Sequence, residues 1–250
     1  MGLFDTQAVV LRHYELGEAD KIIVLFSRDR GKIRAVANGV RKTKSTLAAA
    51  VEIFTHNKVV IYQGKSDLGR ISQVEIKDNF SQLKNNVDKM AAASYVVELI
   101  AELTTEEQPE PTAFKLLVLT LNLLNNFSEL ELILRAFELK LLAQVGFRPH
   151  LKNCVKCGGE LTEKVKFNLS AGGVVCSQHS SRRDKAVSLG TIKFMKRLLE
   201  LNYENLLQLK LTDYANQELT SIIPGYIENI IDKPLKTTSF LASIKNFEEG

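Results

Sequence analysis

Gln7-Ala8-Val9-Val10-Leu11-Arg12-His13-Tyr14 and Lys21-Ile22-Ile23-Val24-Leu25-Phe26-Ser27, joined by the polar link Glu15-Leu16-Gly17-Glu18-Ala19-Asp20, decide the class of the fold. Both runs are rich in β-branched and other large apolar residues and are bounded by polar segments, the pattern of two strands. Arg28-Asp29-Arg30-Gly31 reads as a tight turn. Residues 32–40 then place Ile33, Ala35 and Ala37 on one face by a period of two. A basic loop, Arg41-Lys42-Thr43-Lys44-Ser45, interrupts the pattern. Residues 52–62 and 70–77 complete the set, split by a turn at 63–69. Five strands in roughly 70 residues suit a small closed barrel, with the five-stranded OB-fold as a candidate.

Beyond Phe80 the apolar period becomes helical. Met90, Ala93, Val97 and Ile100 share one face, as do Phe114, Leu117, Leu121 and Leu124, and then Leu130, Ile133, Phe137 and Leu141. Residues 104–111 form an acidic link with two prolines, a helix break. Gly146 and Pro149 stop the third helix. Helical spacing resumes at Ile192, Met195 and Leu199, and again at Leu219, Ile223, Tyr226 and Ile230, disturbed at Pro224-Gly225. The expected fold class is α+β and multidomain: an N-terminal five-stranded OB-type β-barrel followed by an α-helical bundle with an embedded zinc-binding module. The expected boundaries are 1–80 for the barrel, 81–149 for a helical region, 150–187 for the zinc module and 188–250 for a C-terminal helical region packing with 81–149.

Of the 250 residues, 45% are hydrophobic and 25% charged, enough for a sizeable core without metal or disulfides. No apolar run approaches the ~18 residues of a membrane span. No basic-then-apolar leader is expected either. The opening Met1-Gly2-Leu3-Phe4-Asp5-Thr6 fits the loose myristoylation pattern, which is short and common; the plain reading is a terminus leading into the first strand. Charge is distributed unevenly. Residues 1–80 hold 13 Lys/Arg against 9 Asp/Glu, 81–139 hold 4 against 9, 140–197 hold 12 against 3, and 198–250 hold 4 against 8. Two basic zones alternating with two acidic ones point to a polyanionic partner or to solvated faces.

All 3 cysteines lie between 154 and 176. An odd, clustered set argues against a secreted disulfide framework and for a reducing cytoplasm. Cys154-Val155-Lys156-Cys157-Gly158-Gly159 and Cys176-Ser177-Gln178-His179 are two paired-ligand knuckles separated by 18 residues. That spacing suits one zinc ion, because each turn presents two donors and two turns complete a tetrahedron at ~2.3 Å for sulfur. Glycines flank the knuckles at 158, 159, 172 and 173, where tight backbone is needed. Four protein ligands leave no open position, so the ion is expected to be structural. His150 is the rival fourth ligand; the symmetry of the knuckles favours His179.

Between residues 28 and 44 stand Arg28, Arg30, Lys32, Arg34, Arg41, Lys42 and Lys44 against Asp29 alone. Lys32 and Arg34 share a strand face, and the others occupy turns. A barrel with cationic strands and loops can track a phosphate backbone, so Arg30, Lys32, Arg34, Arg41, Lys42 and Lys44 are the expected DNA contacts. Aromatic platforms for base stacking are few: Tyr14, Phe26, Phe54 and Tyr62, most of them expected in the core. No catalytic signature stands out. His13-Tyr14-Glu15 with Cys154-x-x-Cys157 lacks the proline of a zinc deaminase and leaves Cys176 and His179 unexplained. Lys44-Ser45 lacks both P-loop glycines, with Asn38 and Thr43 in their places.

With these residues in view, the chain resembles the RecO family of bacterial recombination mediators. The first resemblance is Ala8-Val9-Val10-Leu11-Arg12 through Gly17-Glu18-Ala19-Asp20-Lys21, and the second is Gly31-Lys32 with Ala37-Asn38-Gly39-Val40-Arg41-Lys42. The third is Val145-Gly146-Phe147-Arg148-Pro149 followed by Cys154-x-x-Cys157-Gly158. The order of barrel, bundle and zinc module covers nearly the whole chain. Two departures stand out: Asn38 where the family commonly has lysine, and His179 where many relatives have a fourth cysteine, a change zinc accepts. The resemblance implies a non-enzymatic protein of DNA repair that binds single- and double-stranded DNA and anneals complementary strands. It also implies work with RecR to help RecA replace single-strand-binding protein, and a cytoplasmic, nucleoid-associated location without membrane contact. It further implies docking of the single-strand-binding protein's C-terminal tail, an acidic peptide with an apolar aromatic end. Lys140 and Arg148, or Lys193 and Arg197, are then the expected charge partners. The alternatives are a zinc-containing nucleic-acid processing enzyme with an unrecognised catalytic site, and a sequence-specific regulator, for which no strongly basic exposed helix is evident.

Overall fold

The opening strand is longer than its apolar core: β1 spans Gly2–Leu16. In the computed structural model, which describes residues 2–66, 68–162 and 164–238, it is shared between two neighbours. Its first half pairs antiparallel with β4 (His56–Gln63) and its second half with β2 (Asp20–Ser27). A register shift between Val10 and Arg12 marks the bulge that bends it from one seam to the other. β2 pairs antiparallel with β3 (Gly31–Ala37), β3 meets β5 (Gly69–Asp78) in parallel, and β5 pairs with β4. The order β1-β2-β3-β5-β4 closes the barrel. Closure removes the exposed edges that an open sheet of this length would present.

Inward positions of the pleat form the barrel core, including Ala8, Val10, Ile23, Leu25, Ala35, Val59, Ile61 and Ile71. Val9, Leu11 and Phe26 are also buried, although they lie outside that cluster. Helices cover this outer face: α2 (Val87–Leu103) packs on β1, and Phe114 of α3 (Pro111–Asn126) meets Phe26 with ring centroids 6.3 Å apart. Hence the strict alternation expected of a half-solvated strand fails here, and residues 8–11 are all buried. A short turn of helix, α1 (Ser81–Lys84), leads into α2, which Asn86 caps through the Lys89 amide. Barrel and α1–α3 cluster as one compact unit, Met1–Asn126.

The second unit is Phe127–Gly250. It contains α4 (Leu130–Gln144), the small sheet β6 (Val165–Asn168), β7 (Gly173–Cys176) and β8 (Lys185–Ala186), then α5 (Leu189–Glu200) and α6 (Asp213–Ile231). The sheet runs β7-β6-β8. α5 packs on α4 and on α6. Ser188 caps α5, and both it and its amide donate to the Glu218 carboxylate of α6. α6 continues through Pro224 as one helix rather than breaking at Pro224-Gly225. The sheet is held to α6 by Tyr226, whose ring meets Phe167 edge-on at 5.5 Å and whose hydroxyl donates to the Phe147 carbonyl at 3.1 Å. Gly172 leaves room for that hydroxyl, since a Cβ there would lie 2.6 Å from it. The sequence boundaries at 80, 149 and 187 mark changes of secondary structure, whereas the contacts divide the chain after Asn126.

Candidate metal centre and nucleic-acid interface

The four ligand candidates come together in the second unit. Residues 150–155 run beside β7: the His150 and Val155 amides donate to Gly172 and Val174 carbonyls, and the Val174 amide donates back to His150. This lays the first knuckle on the second. The Cys154 knuckle is closed by Gly158, in the left-handed region at φ 73°, whose amide donates to the Cys154 carbonyl at 2.8 Å. One donor atom from each of Cys154, Cys157, Cys176 and His179 lies within 4.8 Å of all the others. Cys157 Sγ and Cys176 Sγ are 3.9 Å apart, and Cys176 Sγ is 3.2 Å from His179 Nδ1. A tetrahedral ion with sulfur at ~2.3 Å requires sulfurs about 3.8 Å apart, so the donor set fits one metal ion.

The surroundings support ligand chemistry. Burial pushes the Cys154 thiol up, but the amides of Cys176, Cys157 and Lys156 donate to it and carry it down to about 6. The Cys176 amide reaches Cys154 Sγ at 3.4 Å. Asp184 ties the loop after His179 back to the sheet, accepting from the Ser181 amide at 2.6 Å and from Asn168 Nδ2 at 2.7 Å. His150, the rival ligand, instead pairs through Nε2 with Asn153 Oδ1. His179, and not His150, is the histidine grouped with the three cysteines.

The cations of residues 28–44 do not form one patch. Arg28 and Arg30 sit in the turn before β3, while Arg41, Lys42 and Lys44 follow its other end. Seven residues of strand separate the two groups, about 23 Å at ~3.3 Å per residue. Between them, Lys32 and Arg34 are already engaged. Lys32 Nζ donates to the Ala101 and Thr104 carbonyls at the C-terminus of α2, at 2.6 and 3.1 Å. Burial pushes its pKa down, while Glu106 and Glu102 partly offset this. Arg34 pairs with Glu106 at 2.7 Å, and Arg12 pairs with Glu102 at 3.0 Å. The Glu107 amide donates to the Lys32 carbonyl, laying the acidic link along β3. Gly31 permits this approach, because a Cβ there would lie 2.0 Å from the Gln108 carbonyl oxygen. Reading the basic run alone missed this contact; the net negative charge of 81–139 was its signal.

The loop after β3 is more open. Arg41 donates to the Gly17 carbonyl and pairs with Glu15 at 3.2 Å, both at the surface. Lys42 and Lys44 are exposed and make no ion pair among the described residues. Of the aromatics, Phe26 and Phe54 are buried, while Tyr14 and Tyr62 are exposed.

In the second unit, Lys140 is half-buried and donates to the Leu199 carbonyl at 3.2 Å; burial first, and Arg148 second, push its pKa down. Arg148 instead lines a cavity of about 490 Å³ with Pro149, His150, Leu151, Lys152, Lys196, Leu199 and Glu200. Lys193 and Arg197 are exposed on α5 but lie outside that lining. The structure thus groups Arg148 with Lys152 and Lys196, neither of which sequence reasoning selected as a partner contact. Among the described residues, no helix is long and apolar enough to cross a membrane.

Comparison with known proteins agrees with this architecture. Residues 1–80 match the family model for the recombination protein O N terminal, and residues 84–239 match that for the recombination protein O C terminal. A DNA repair protein RecO from Desulforamulus reducens is 35% identical over 244 residues, covering 96% of this chain and 94% of its own. Another from Symbiobacterium thermophilum is 36% identical over 252 residues, covering 98% and 99%. A third from Alkaliphilus metalliredigens is 36% identical over 234 residues, covering 92% and 95%. With both halves matched and the barrel, helices and Cys/His cluster in the expected order, the chain belongs to the RecO family.

Proposed function

We propose that this chain is a non-enzymatic, DNA-binding mediator of recombination and repair, acting in the cytoplasm on nucleoid DNA. The observation that carries this reading is the exposed Arg41, Lys42 and Lys44 loop at one end of a closed barrel, in a chain of the RecO family. Cations there neutralise phosphates on single or double strands without reading sequence. Annealing needs little more: screening lowers the repulsion between two strands, and base pairing drives their union. With RecR, the bound protein helps RecA replace single-strand-binding protein on exposed DNA. Replacing Arg41, Lys42 and Lys44 together by alanine tests the reading. Affinity should fall alike on unrelated sequences, and the slope of log affinity against log salt on single strands should drop by about two, at ~0.7 per contact. An unchanged slope would refute the loop's role.

Arg30 contributes from the other end of β3, while Lys32 and Arg34 act chiefly by fixing the strand. The single-strand-binding protein's tail is assigned to the cavity beside Arg148, where Pro149, Leu151 and Leu199 offer an apolar floor and Lys152 and Lys196 outweigh the one acidic lining residue, Glu200. Lys140 supports that wall from within, and Lys193 and Arg197 extend its positive field. A labelled tail peptide should bind with partial salt sensitivity, and undiminished binding after charge removal at Arg148 and Lys196 would refute this seat.

One structural zinc at Cys154, Cys157, Cys176 and His179 completes the reading. Such an ion supplies a cross-link between the knuckles rather than an open coordination site. Elemental analysis should give close to one zinc per chain, lost on Cys154→Ser or His179→Ala with the barrel still folded. Metal retained in His179→Ala and lost in His150→Ala would overturn the assignment.

A further inference from the structure

The barrel also carries an exposed row of apolar, aromatic and cationic side chains, whose Arg70 is in register with Val36 near the end of β3 that leads to the Arg41 loop. Leu3 on β1 is in register with Tyr62 on β4, which is in register with Arg70 on β5. The three form one row across the outside of the sheet, with strands about 4.8 Å apart. Leu3 is 65% exposed and Tyr62 is 42% exposed. The Arg70 guanidinium lies 5.9 Å from the Tyr62 ring centroid. Phe4, the next residue of β1, turns to the opposite face and packs against the barrel core, with the Arg30 guanidinium 4.0 Å from its ring centroid.

The arginines of the barrel differ in their partners. Arg12, Arg34 and Arg41 each pair with a glutamate. Among the described residues, Arg30 and Arg70 make no ion pair; their guanidiniums lie over aromatic rings instead. A planar cation held over a ring in this way remains available to an anion. An exposed tyrosine next to an apolar side chain offers a face to another flat, apolar surface. An unpaired nucleobase has such a face, and its phosphate supplies the anion. In duplex DNA the neighbouring base pairs already cover those faces.

We infer that the Leu3–Tyr62–Arg70 row is a base-stacking site for unpaired nucleotides, separate in its side chains from the Arg41–Lys44 loop. This rests on the DNA-binding reading above and adds to it a discrimination of single strands from duplex. The loop holds phosphates of either form, whereas the row holds only DNA whose bases are free. A strand engaged here through its base faces keeps its pairing edges open to a complementary strand.

The test uses the full chain, a labelled oligothymidylate and a blunt hairpin duplex at one salt concentration. Tyr62→Ala should lose about tenfold in affinity for the single strand, as removal of one stacked base predicts. Its duplex affinity and salt slope should stay as in the parent, and its melting should remain cooperative. Tyr62→Phe keeps the ring and should retain single-strand affinity. The chain has no tryptophan and 6 tyrosines, so part of its tyrosine emission should be quenched by oligothymidylate in the parent and not in Tyr62→Ala. Equal losses on both DNAs, or no loss on the single strand, would overturn the stacking site while leaving the loop's role standing. A parent protein that binds neither DNA would overturn both.

Discussion

Lys32 and Arg34 on β3 meet the acidic link between α2 and α3, whereas Lys42 and Lys44, just beyond the end of the same strand, face water. The two regions are alike in composition and differ in what folds onto them. A cation beside helix C-terminal carbonyls is held by their partial negative charge, and by leaving it would strand them. A lysine in a solvated loop loses little when it turns toward a phosphate. The same formal charge is therefore part of the fold in one place and available to a ligand in the other. A count of basic residues along a sequence cannot separate these uses.

Lys32→Met should have the largest effect. It keeps most of the stem and removes the ammonium, leaving the Ala101 and Thr104 carbonyls without that donor. We expect a loss of about 1–3 kcal/mol in unfolding free energy by chemical denaturation, from the cost of leaving such groups unsatisfied. DNA affinity should hardly change once the variant is folded. If stability is unaltered and affinity falls, Lys32 belongs with the loop instead.

Next in size is the release of the paired arginines. Glu102→Gln with Glu106→Gln removes the charges facing Arg12 and Arg34. The Arg34–Glu106 pair is exposed and should contribute only ~0.2–1 kcal/mol, and the half-buried Arg12–Glu102 pair somewhat more, so stability should change modestly. Affinity for single strands should rise several-fold at low salt. The salt slope should steepen by about one if both guanidiniums then reach phosphates. Unchanged binding would show that the link does not compete with DNA for this strand.

The barrel was legible because closure needs alternating apolar strands, and Ala8, Ile23, Ala35 and Ile61 supply them in each of four runs. The metal cluster was legible because each ligand pair is local, at Cys154/Cys157 and Cys176/His179, and only one long-range contact must join them. What escaped was contact between elements far apart in sequence. Nothing within residues 28–44 shows that Glu106 returns to Arg34, or that Leu3, Tyr62 and Arg70 fall in one row. Closure of the barrel creates that row, and the cavity beside Arg148 likewise depends on Lys196 approaching from α5. Pro224 was misleading in the opposite sense, because packing around Ile223 and Tyr226 keeps α6 continuous despite the missing donor.

The smallest expected effect concerns Glu110, where the acidic link enters α3. Its carbonyl accepts from the Phe114 amide, and burial pushes its carboxyl pKa up, with the Thr105 backbone and the Lys32 charge opposing. A carboxyl raised in the folded state favours folding when protonated. That contribution is complete below the unfolded value near ~4.3 and disappears as pH rises through the folded value. Glu110→Gln fixes the side chain in a neutral form and should flatten this part of the profile. Denaturation midpoints measured from pH 4 to 7 should fall slightly more steeply in the parent than in the variant, with the variant modestly more stable at pH 7. A parent profile parallel to the variant's would mean that the link is solvated at Glu110. Its hold on β3 would then rest on Glu102, Glu106 and the two carbonyls that bind Lys32.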